Sequence, residues 1–223
     1  MIVEWHIFLA LVLVSYISPG PDTVMILRAS ARGARVGFAA SAGALAGLSV
    51  HMIISAVGLS ALLVAAPASL TVLSVGGAIY LAYLGVRAIL ASRSIRRQPA
   101  GLAETAATPG RSAAARSAFQ RTLLTNLMNP KVILFFVAVL PQFIDEASAW
   151  PVWLQLGILG AADVLVGVFY LPVFVLFGAR VFRSMGNRGM ANLEIGVGLL
   201  LLVFAGASWS TQWLDEGFCF RRR

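Results

Sequence analysis

The chain has 223 residues, of which 59% are hydrophobic and 12% charged, and its mean hydropathy of +0.87 excludes an ordinary soluble domain. At about 20 apolar residues per helical span, this length accommodates about six membrane-crossing helices and excludes a separate soluble domain beside them. The net charge of +8 does not indicate nucleic-acid binding, because the basic residues lie between apolar segments, and the sole cysteine, Cys219, excludes an intrachain disulfide and a multi-cysteine metal site.

Apolar segments of membrane-spanning length follow one another along the chain. The first lacks the basic flank of a signal peptide and continues apolar beyond a proline-containing interruption, so we interpret it as a retained helix. We therefore predict an all-α, polytopic membrane protein. Its six transmembrane helices are predicted at residues 5–27, 37–65, 70–91, 119–143, 151–179 and 193–214.

A polar interval rich in arginine, proline and small residues, 92–118, separates the third helix from the fourth and is predicted to be a flexible cytoplasmic loop. It divides a single transmembrane domain, residues 1–223, into a first half, 1–91, and a second half, 119–214, followed by a short tail, 215–223. Because each half has three helices, an odd number, any structural repeat between the halves must be inverted in the membrane.

Arginines are concentrated in the odd-numbered loops, and cytoplasmic loops keep an excess of Lys and Arg. This pattern places both termini outside, although the terminal Arg221, Arg222 and Arg223 disagree. The tryptophans then fall at the outer interface, where amphipathic rings are favoured. They are Trp5, Trp150, Trp153, Trp209 and Trp213. The small-residue faces of the helices permit a homodimer without requiring one.

The first helix contains a helix-breaking motif. Pro19 and Pro21 lack an amide proton and clash with the preceding turn, so they free the carbonyls of two residues, Ser15 and Ile17. A break at membrane depth is tolerated only where protein or a water-filled cavity satisfies the freed groups. The motif therefore predicts a buried polar cavity, with a kink that binds no ligand as the alternative. Its residues are Ser18, Pro19, Gly20, Pro21 and Asp22.

A second interruption lies in the fourth helix. Pro130 frees the carbonyl of Asn126, and Asn129 is suited to cap the helix that restarts at the proline. Both motifs thus place a helix amino terminus, which favours an anion, within the membrane. We expect a substrate carboxylate at these ends and its ammonium near the freed carbonyls or Asp22. The alternative is that Lys131 snorkels to the interface or pairs with Asp22.

Two further ionisable residues are candidates for proton coupling. Asp163 lies near the middle of the fifth helix, on a face with Gly160, Gly167 and Tyr170 that is expected to pack against other helices. His51 lies in the second helix. For each of the two, the alternative is a structural hydrogen bond in the interior.

In these motifs the chain resembles the lysine exporter and homoserine/threonine resistance (LysE/RhtB-type) family of bacterial exporters, from about Trp5 to Trp213. The matching features are Pro19-Gly20-Pro21, Gly43, Gly47 and His51 followed by Gly58-Leu59, the run from Gly77 to Gly85, and Asn129-Pro130-Lys131. The resemblance implies export of amino acids or related metabolites driven by the proton gradient. It supports as the central site Pro19, Gly20, Pro21, Asp22, Asn129, Pro130 and Lys131. The end of the chain, from Phe218 to Arg223, and Leu48 depart from the family's pattern.

We predict a secondary exporter of an amino acid or an amino-acid derivative in a bacterial inner membrane, working without a cofactor by proton antiport and alternating access. The proton would return through Asp22 or Asp163. One alternative is an exporter of an inorganic cation, which would suit these acids but be opposed by Lys131. Another is a membrane-embedded enzyme, for which the sequence offers no nucleophile elbow and no His-rich metal motif.

Overall fold

A computed structural model describes residues 4–18, 20–66, 68–95, 111–145 and 147–219. Every regular element in these parts of the chain is a helix, so the predicted all-α class is confirmed for them. The α-helices are α1 (Trp5–Ile17), α2 (Pro21–Ala31), α3 (Ala34–Ile54), α4 (Ser60–Ala65), α5 (Ala68–Ile95), α6 (Arg111–Leu127), α7 (Pro130–Leu134) and α8 (Val152–Cys219).

The first predicted span consists of two helices. The axes of α1 and α2 are bent by 55° at the break between them. Gly20 precedes α2 in extended conformation, and Pro21 stands at the first helical position, where its fixed φ suits a helix start and its missing amide proton costs nothing. Pro19, the first proline of the motif, lies outside the described residues.

The fourth predicted span is interrupted in the same way. The stretches on either side of the break, Ser112–Leu127 and Pro130–Phe143, are bent by 48°. The side chain of Asn129 accepts a hydrogen bond of 3.0 Å from the main-chain amide of Lys131, which is the cap that the sequence indicates.

Two π-helical segments continue these helices. Ser55–Leu59 joins α3 to α4, and Phe135–Val139 follows α7 and leads into a short 3-10 helix, Leu140–Phe143. The Ser55 hydroxyl donates to the main-chain carbonyl of Phe136 over 3.3 Å, so the two π-helical segments are in direct contact. Wider π turns inside helices occur frequently at functional sites.

Two predicted loops are shorter in the structure. The turn between α2 and α3 is tight and contains Gly33, whose φ of 128° favours glycine. The predicted loop 92–118 is helical at both described ends, since α5 continues to Ile95 and α6 begins at Arg111. The polar composition that indicates a loop does not prevent helix formation, because alanines and arginines are good helix formers. Residues 96–110 lie outside the described parts.

The predicted loop at residues 180–192 is helical in its local structure, as part of α8. The helix is nevertheless not straight. Lys131 lines one cavity together with Asp163 and a second cavity together with Leu201. In a straight helix these two residues of α8 would lie about 57 Å apart at 1.5 Å per residue. The chain therefore turns back between Asp163 and Leu201.

Two helical stretches, Ala34–Leu63 and Val152–Gly178, are long and apolar enough to cross a bilayer. Each of the two bent pairs also passes this test of length and composition when it is counted as one span. Two shorter apolar helices are Val75–Leu90 and Ala191–Val203. The described residues thus support two to four spans by this measure, and the six-span arrangement remains a prediction.

The helices bury two separate apolar clusters. The first cluster contains Phe8, Leu11, Val12, Leu48, Leu59, Leu63, Leu81, Phe135, Phe136, Val139, Leu140, Leu156, Leu159, Val197, Leu201 and Ala205. The second cluster contains Ile26, Leu27, Ala29, Val36, Ala40, Ala44, Ala114, Leu171, Phe174 and Val175. The second cluster lies at the end of the bundle where α2 turns into α3, and side chains from both clusters line the cavity at the helix breaks.

Candidate functional site

The two helix breaks face a common cavity of about 60 Å³ in the interior of the bundle. Gly20 of the first break and Asn129 of the second both line it. Its polar lining residues are Ser15, Asp22, Thr23, Asn126, Asn129, Lys131 and Asp163. The structure therefore brings together motifs that lie more than a hundred residues apart in the chain.

The carboxylate of Asp22 connects the two breaks. Its Oδ2 atom accepts hydrogen bonds from Nδ2 of Asn126 at 2.7 Å and from Nδ2 of Asn129 at 3.2 Å. Asp22 also lies in the first turn of α2, where the partial positive charge of the helix amino terminus favours a negative group. Two amides and a helix end thus hold one carboxylate oxygen in place.

The ammonium of Lys131 occupies the carboxyl end of α1. It donates to the main-chain carbonyls of Ser15 at 2.6 Å and Ser18 at 3.0 Å. The Ser15 carbonyl would pair with the amide of residue 19 in an unbroken helix, but that residue is proline. Lys131 thus provides a donor for a carbonyl that the motif frees. Its positive charge also interacts favourably with the negative end of the α1 helix dipole.

His51 performs the same task at the second break. Its Nε2 atom lies 3.3 Å from the main-chain carbonyl of Asn126, which loses its usual helical partner at Pro130 and also accepts from the main-chain amide of Asn129 at 3.0 Å. Because that partner is an acceptor, the hydrogen bond requires a proton on Nε2. The imidazole stacks on Phe136 with a centroid distance of 5.8 Å, which fixes the ring.

Close packing of α3 against α6 holds the Asn126 amide. A Cβ atom on Gly47 would overlap Oδ1 of Asn126, so only glycine allows this approach. Oδ1 of Asn126 and the second oxygen of Asp22, Oδ1, are buried and accept no hydrogen bond from the residues that the structure describes. Unsatisfied buried acceptors are costly, and they are suited to receive donors from a ligand.

Asp163 lies on α8, lines the same cavity and is only 3% exposed. Its main-chain carbonyl accepts from the hydroxyl of Tyr16 at 3.1 Å, whereas its carboxyl group accepts no hydrogen bond from the described parts of the chain. The predicted packing of its helix face is observed, since Gly160 adjoins Met52 and Gly167 adjoins Tyr16. Asp163 therefore presents a buried carboxyl group to the cavity.

Comparison with known proteins identifies the family. A family model described as LysE type translocator matches residues 13–208, which covers both breaks and the cavity. The chain belongs to the LysE-type translocator family. No solved structure matches this chain.

Several individual relatives of this translocator are similar over most of their length. An uncharacterized membrane protein of Pseudomonas aeruginosa is 35% identical over 204 residues, or 90% of this chain and 91% of the relative. The leucine efflux protein of Salmonella typhimurium is 31% identical over 189 residues, or 84% of each chain. The leucine efflux protein of Klebsiella pneumoniae is 32% identical over 189 residues, again 84% of each chain.

Not all of the predicted site residues of this translocator line the cavity. Ser18 lines a smaller neighbouring cavity of about 20 Å³. Pro21 and Pro130 are exposed, and the Pro130 carbonyl accepts from the Tyr80 hydroxyl at 3.2 Å. His51 lies behind Asn126 and reaches the cavity only through it. These residues shape the breaks without facing the cavity.

Apart from Tyr170, which shares a helix face with Asp163, the apolar and aromatic walls of the translocator's cavity were not predicted from the sequence. They are formed by Tyr16, Ile26, Ala44, Leu48, Val132, Phe135, Phe136, Tyr170, Leu171 and Phe174. Helical spacing from the acids would have indicated some of them, since Ile26 lies one turn beyond Asp22 on α2. No group of three His, Cys, Asp or Glu residues suited to a metal ion occurs in the described parts of the translocator.

Proposed function

We propose that this translocator is a secondary exporter of an amino acid or an amino-acid derivative in a bacterial cytoplasmic membrane. The observation that carries the proposal is the meeting of two helix breaks around a buried cavity that contains both acidic and basic groups. Relatives named leucine efflux proteins support an amino acid as the substrate.

The proposed topology has six spans in two inverted sets of three, with both termini outside. The two long apolar stretches, the two bent pairs and the two shorter apolar helices account for six segments. In this arrangement each bent pair is one span, and the breaks lie at membrane depth, where their freed carbonyls need internal partners. The hydrogen bonds from Lys131 and His51 are such partners.

The described contacts suggest how the two charged ends of an amino acid bind. Oδ1 of Asp22 and the carboxyl group of Asp163 are acceptors for the substrate's ammonium group. The described lining contains one cation, Lys131, for the substrate's carboxylate. This differs from our sequence-based expectation, in which helix amino termini bind the carboxylate, because Asp22 and Asn129 already occupy the ends of α2 and α7.

Transport by alternating access requires the helices around the cavity to move. One buried water molecule needs roughly 10–15 Å³ of such space, so a cavity of about 60 Å³ has room for only a few waters. An amino acid fits only after the helices separate. The breaks provide hinges at which α2 and α7 change their angles to α1 and α6, while Asp163 or Asp22 exchanges the proton with the opposite side.

The proposal is tested with purified protein in liposomes that carry an imposed proton gradient and a panel of radiolabelled amino acids. We expect gradient-dependent uptake of substrate by the molecules that are inserted into the liposomes in inside-out orientation. Asp163→Asn should abolish gradient-driven transport but retain exchange of substrate for substrate. If the carboxylate is needed only for folding, the substitution should instead reduce both activities or leave both unchanged. Asp145→Asn is the matched control, because that acid lies in the loop before α8 and outside the cavity.

An exporter of an inorganic cation is the second candidate. The unpartnered oxygen of Asp22 and the buried carboxyl of Asp163 favour it, and the ammonium of Lys131 opposes it. Overexpressing cells challenged separately with toxic amino-acid analogues and with metal salts distinguish the two. Resistance to metal salts alone would replace the first proposal with this one.

A further inference from the structure

The cavity is lined by polar groups at the breaks and by apolar side chains from both clusters. The apolar lining residues Ile26, Ala44, Leu171 and Phe174 all belong to the second apolar cluster, and we name these four the side-chain subsite. The polar groups at the breaks are not members of this cluster. A molecule with a charged head at the breaks would therefore extend its remaining atoms into the side-chain subsite.

The helix directions place this subsite on one side of the charged groups. On α2, Ile26 follows Asp22 by one turn towards the α2–α3 turn. On α3, Ala44 of the second cluster lies one turn before Leu48 of the first cluster, and therefore closer to the α2–α3 turn. On α8, Leu171 lies about 12 Å along the helix from Asp163, at 1.5 Å per residue.

We propose that the side-chain subsite selects amino acids with an uncharged aliphatic side chain, and that Ala44 and Phe174 set the size that it accepts. This inference rests on the proposed function, since it assigns a place to the part of the substrate that is not charged. The four side chains carry no hydrogen-bonding group, so a charged substrate side chain would lose its water there without gaining a partner.

Ala44 has the smallest side chain of the subsite and is 3% exposed, so a larger residue at this position would fill the subsite. Phe174 has the largest side chain of the subsite. Its ring stacks on Tyr170 at 5.9 Å, and Tyr170 contacts the ring of Tyr16 at 5.3 Å. This row of three rings restrains Phe174, so the wall does not adapt freely to the substrate.

The test compares export of leucine with export of alanine by the full-length protein in the same liposomes. The ratio of the two rates cancels differences in the amount of active protein. We expect wild type to prefer leucine to alanine and to reject lysine. Ala44→Val should lower the leucine-to-alanine ratio by about tenfold, the scale of one or two methyl groups in an apolar pocket. Phe174→Leu should raise export of phenylalanine relative to leucine.

The matched control is Ala40→Val. Ala40 lies one turn from Ala44 on α3, is fully buried and belongs to the same cluster, but it does not line the cavity. It should leave the leucine-to-alanine ratio unchanged. If Ala44→Val does not insert into the membrane, Ala44→Gly replaces it and should shift preference towards larger side chains.

Three outcomes overturn the inference. Wild type that transports amino acids but prefers lysine to leucine excludes an aliphatic subsite, although the proposed function stands. Ratios that stay constant in the Ala44 and Phe174 variants, or that change equally in Ala40→Val, show that these residues do not select the side chain. Wild type that transports no amino acid under a proton gradient overturns both the proposed function and the subsite.

Discussion

The ammonium of Lys131 lies 2.6 Å from the main-chain oxygen of Ser15, although the two residues are 116 positions apart in the chain. The contact joins the start of one broken helix to the end of another. His51 makes the corresponding contact with Asn126 at 3.3 Å. At both breaks, a basic side chain from another helix thus donates to a main-chain carbonyl whose usual helical partner is missing because of a proline.

Replacing Lys131 by methionine should destabilise the protein and impair transport. The variant leaves the carbonyls of Ser15 and Ser18 without this donor, and an unsatisfied buried acceptor costs roughly 1–3 kcal/mol. Lys131→Arg keeps a cation with several donors and should lose less stability. Thermal unfolding in detergent micelles measures the difference. An unfolding temperature equal to that of wild type in Lys131→Met would show that the contact contributes nothing.

Replacing His51 by leucine should destabilise the second break. Leucine offers no donor to the carbonyl of Asn126, which then keeps only the bond from the Asn129 amide, so we expect a loss of roughly 0.5–1.5 kcal/mol. His51→Gln supplies an amide donor and should recover part of the stability and of the export rate. If export requires proton exchange by the imidazole, His51→Gln will recover stability but not export. Unfolding temperature and gradient-driven uptake, measured on the same preparations, separate these roles.

Gly47→Ala should reduce both stability and transport. The new Cβ overlaps the amide of Asn126, which must therefore move. In the wild-type protein, Nδ2 of this amide donates to Oδ2 of Asp22 at 2.7 Å, and the movement should weaken that hydrogen bond. The control is Gly76→Ala on α5, where a Cβ meets nothing within 4 Å and alanine should stabilise the helix by roughly 0.5–1 kcal/mol. Equal effects of the two substitutions on unfolding temperature would contradict the close approach.

Gln155→Leu should destabilise the loop that precedes α8. The Gln155 side chain is 1% exposed and makes three hydrogen bonds, with the amide and carbonyl of Asp145 and the carbonyl of Trp150. Each contributes about 0.5–1.5 kcal/mol. Gln120→Leu, at an exposed position of α6, is the control and should change little. Faster proteolysis of the 145–150 segment in Gln155→Leu alone would support the contact, and identical digestion of both variants would argue against it.

The sequence alone was sufficient to predict the membrane class and the helical fold, and it drew attention to the proline motifs beside which α1 and α6 end. These features follow from local chemistry. An apolar stretch of sufficient length favours a lipid environment, and a proline lacks the amide proton that continues a helix. The cap by Asn129 could be predicted for the same reason, because its partner lies two residues away. By contrast, polar composition did not indicate the helical conformation of residues 180–192.

Only the tertiary structure decided which groups satisfy the freed carbonyls and what surrounds the acids. Lys131 reaches Ser15, and Asn126 reaches Asp22, across more than a hundred residues. Such partners depend on how whole helices pack, because no local rule relates side chains that are brought together only by folding. The same holds for the apolar wall at Ala44 and Phe174, because in the sequence these residues look like those of any buried helix face. Proline chemistry determined where partners are needed, and helix packing determined which residues provide them.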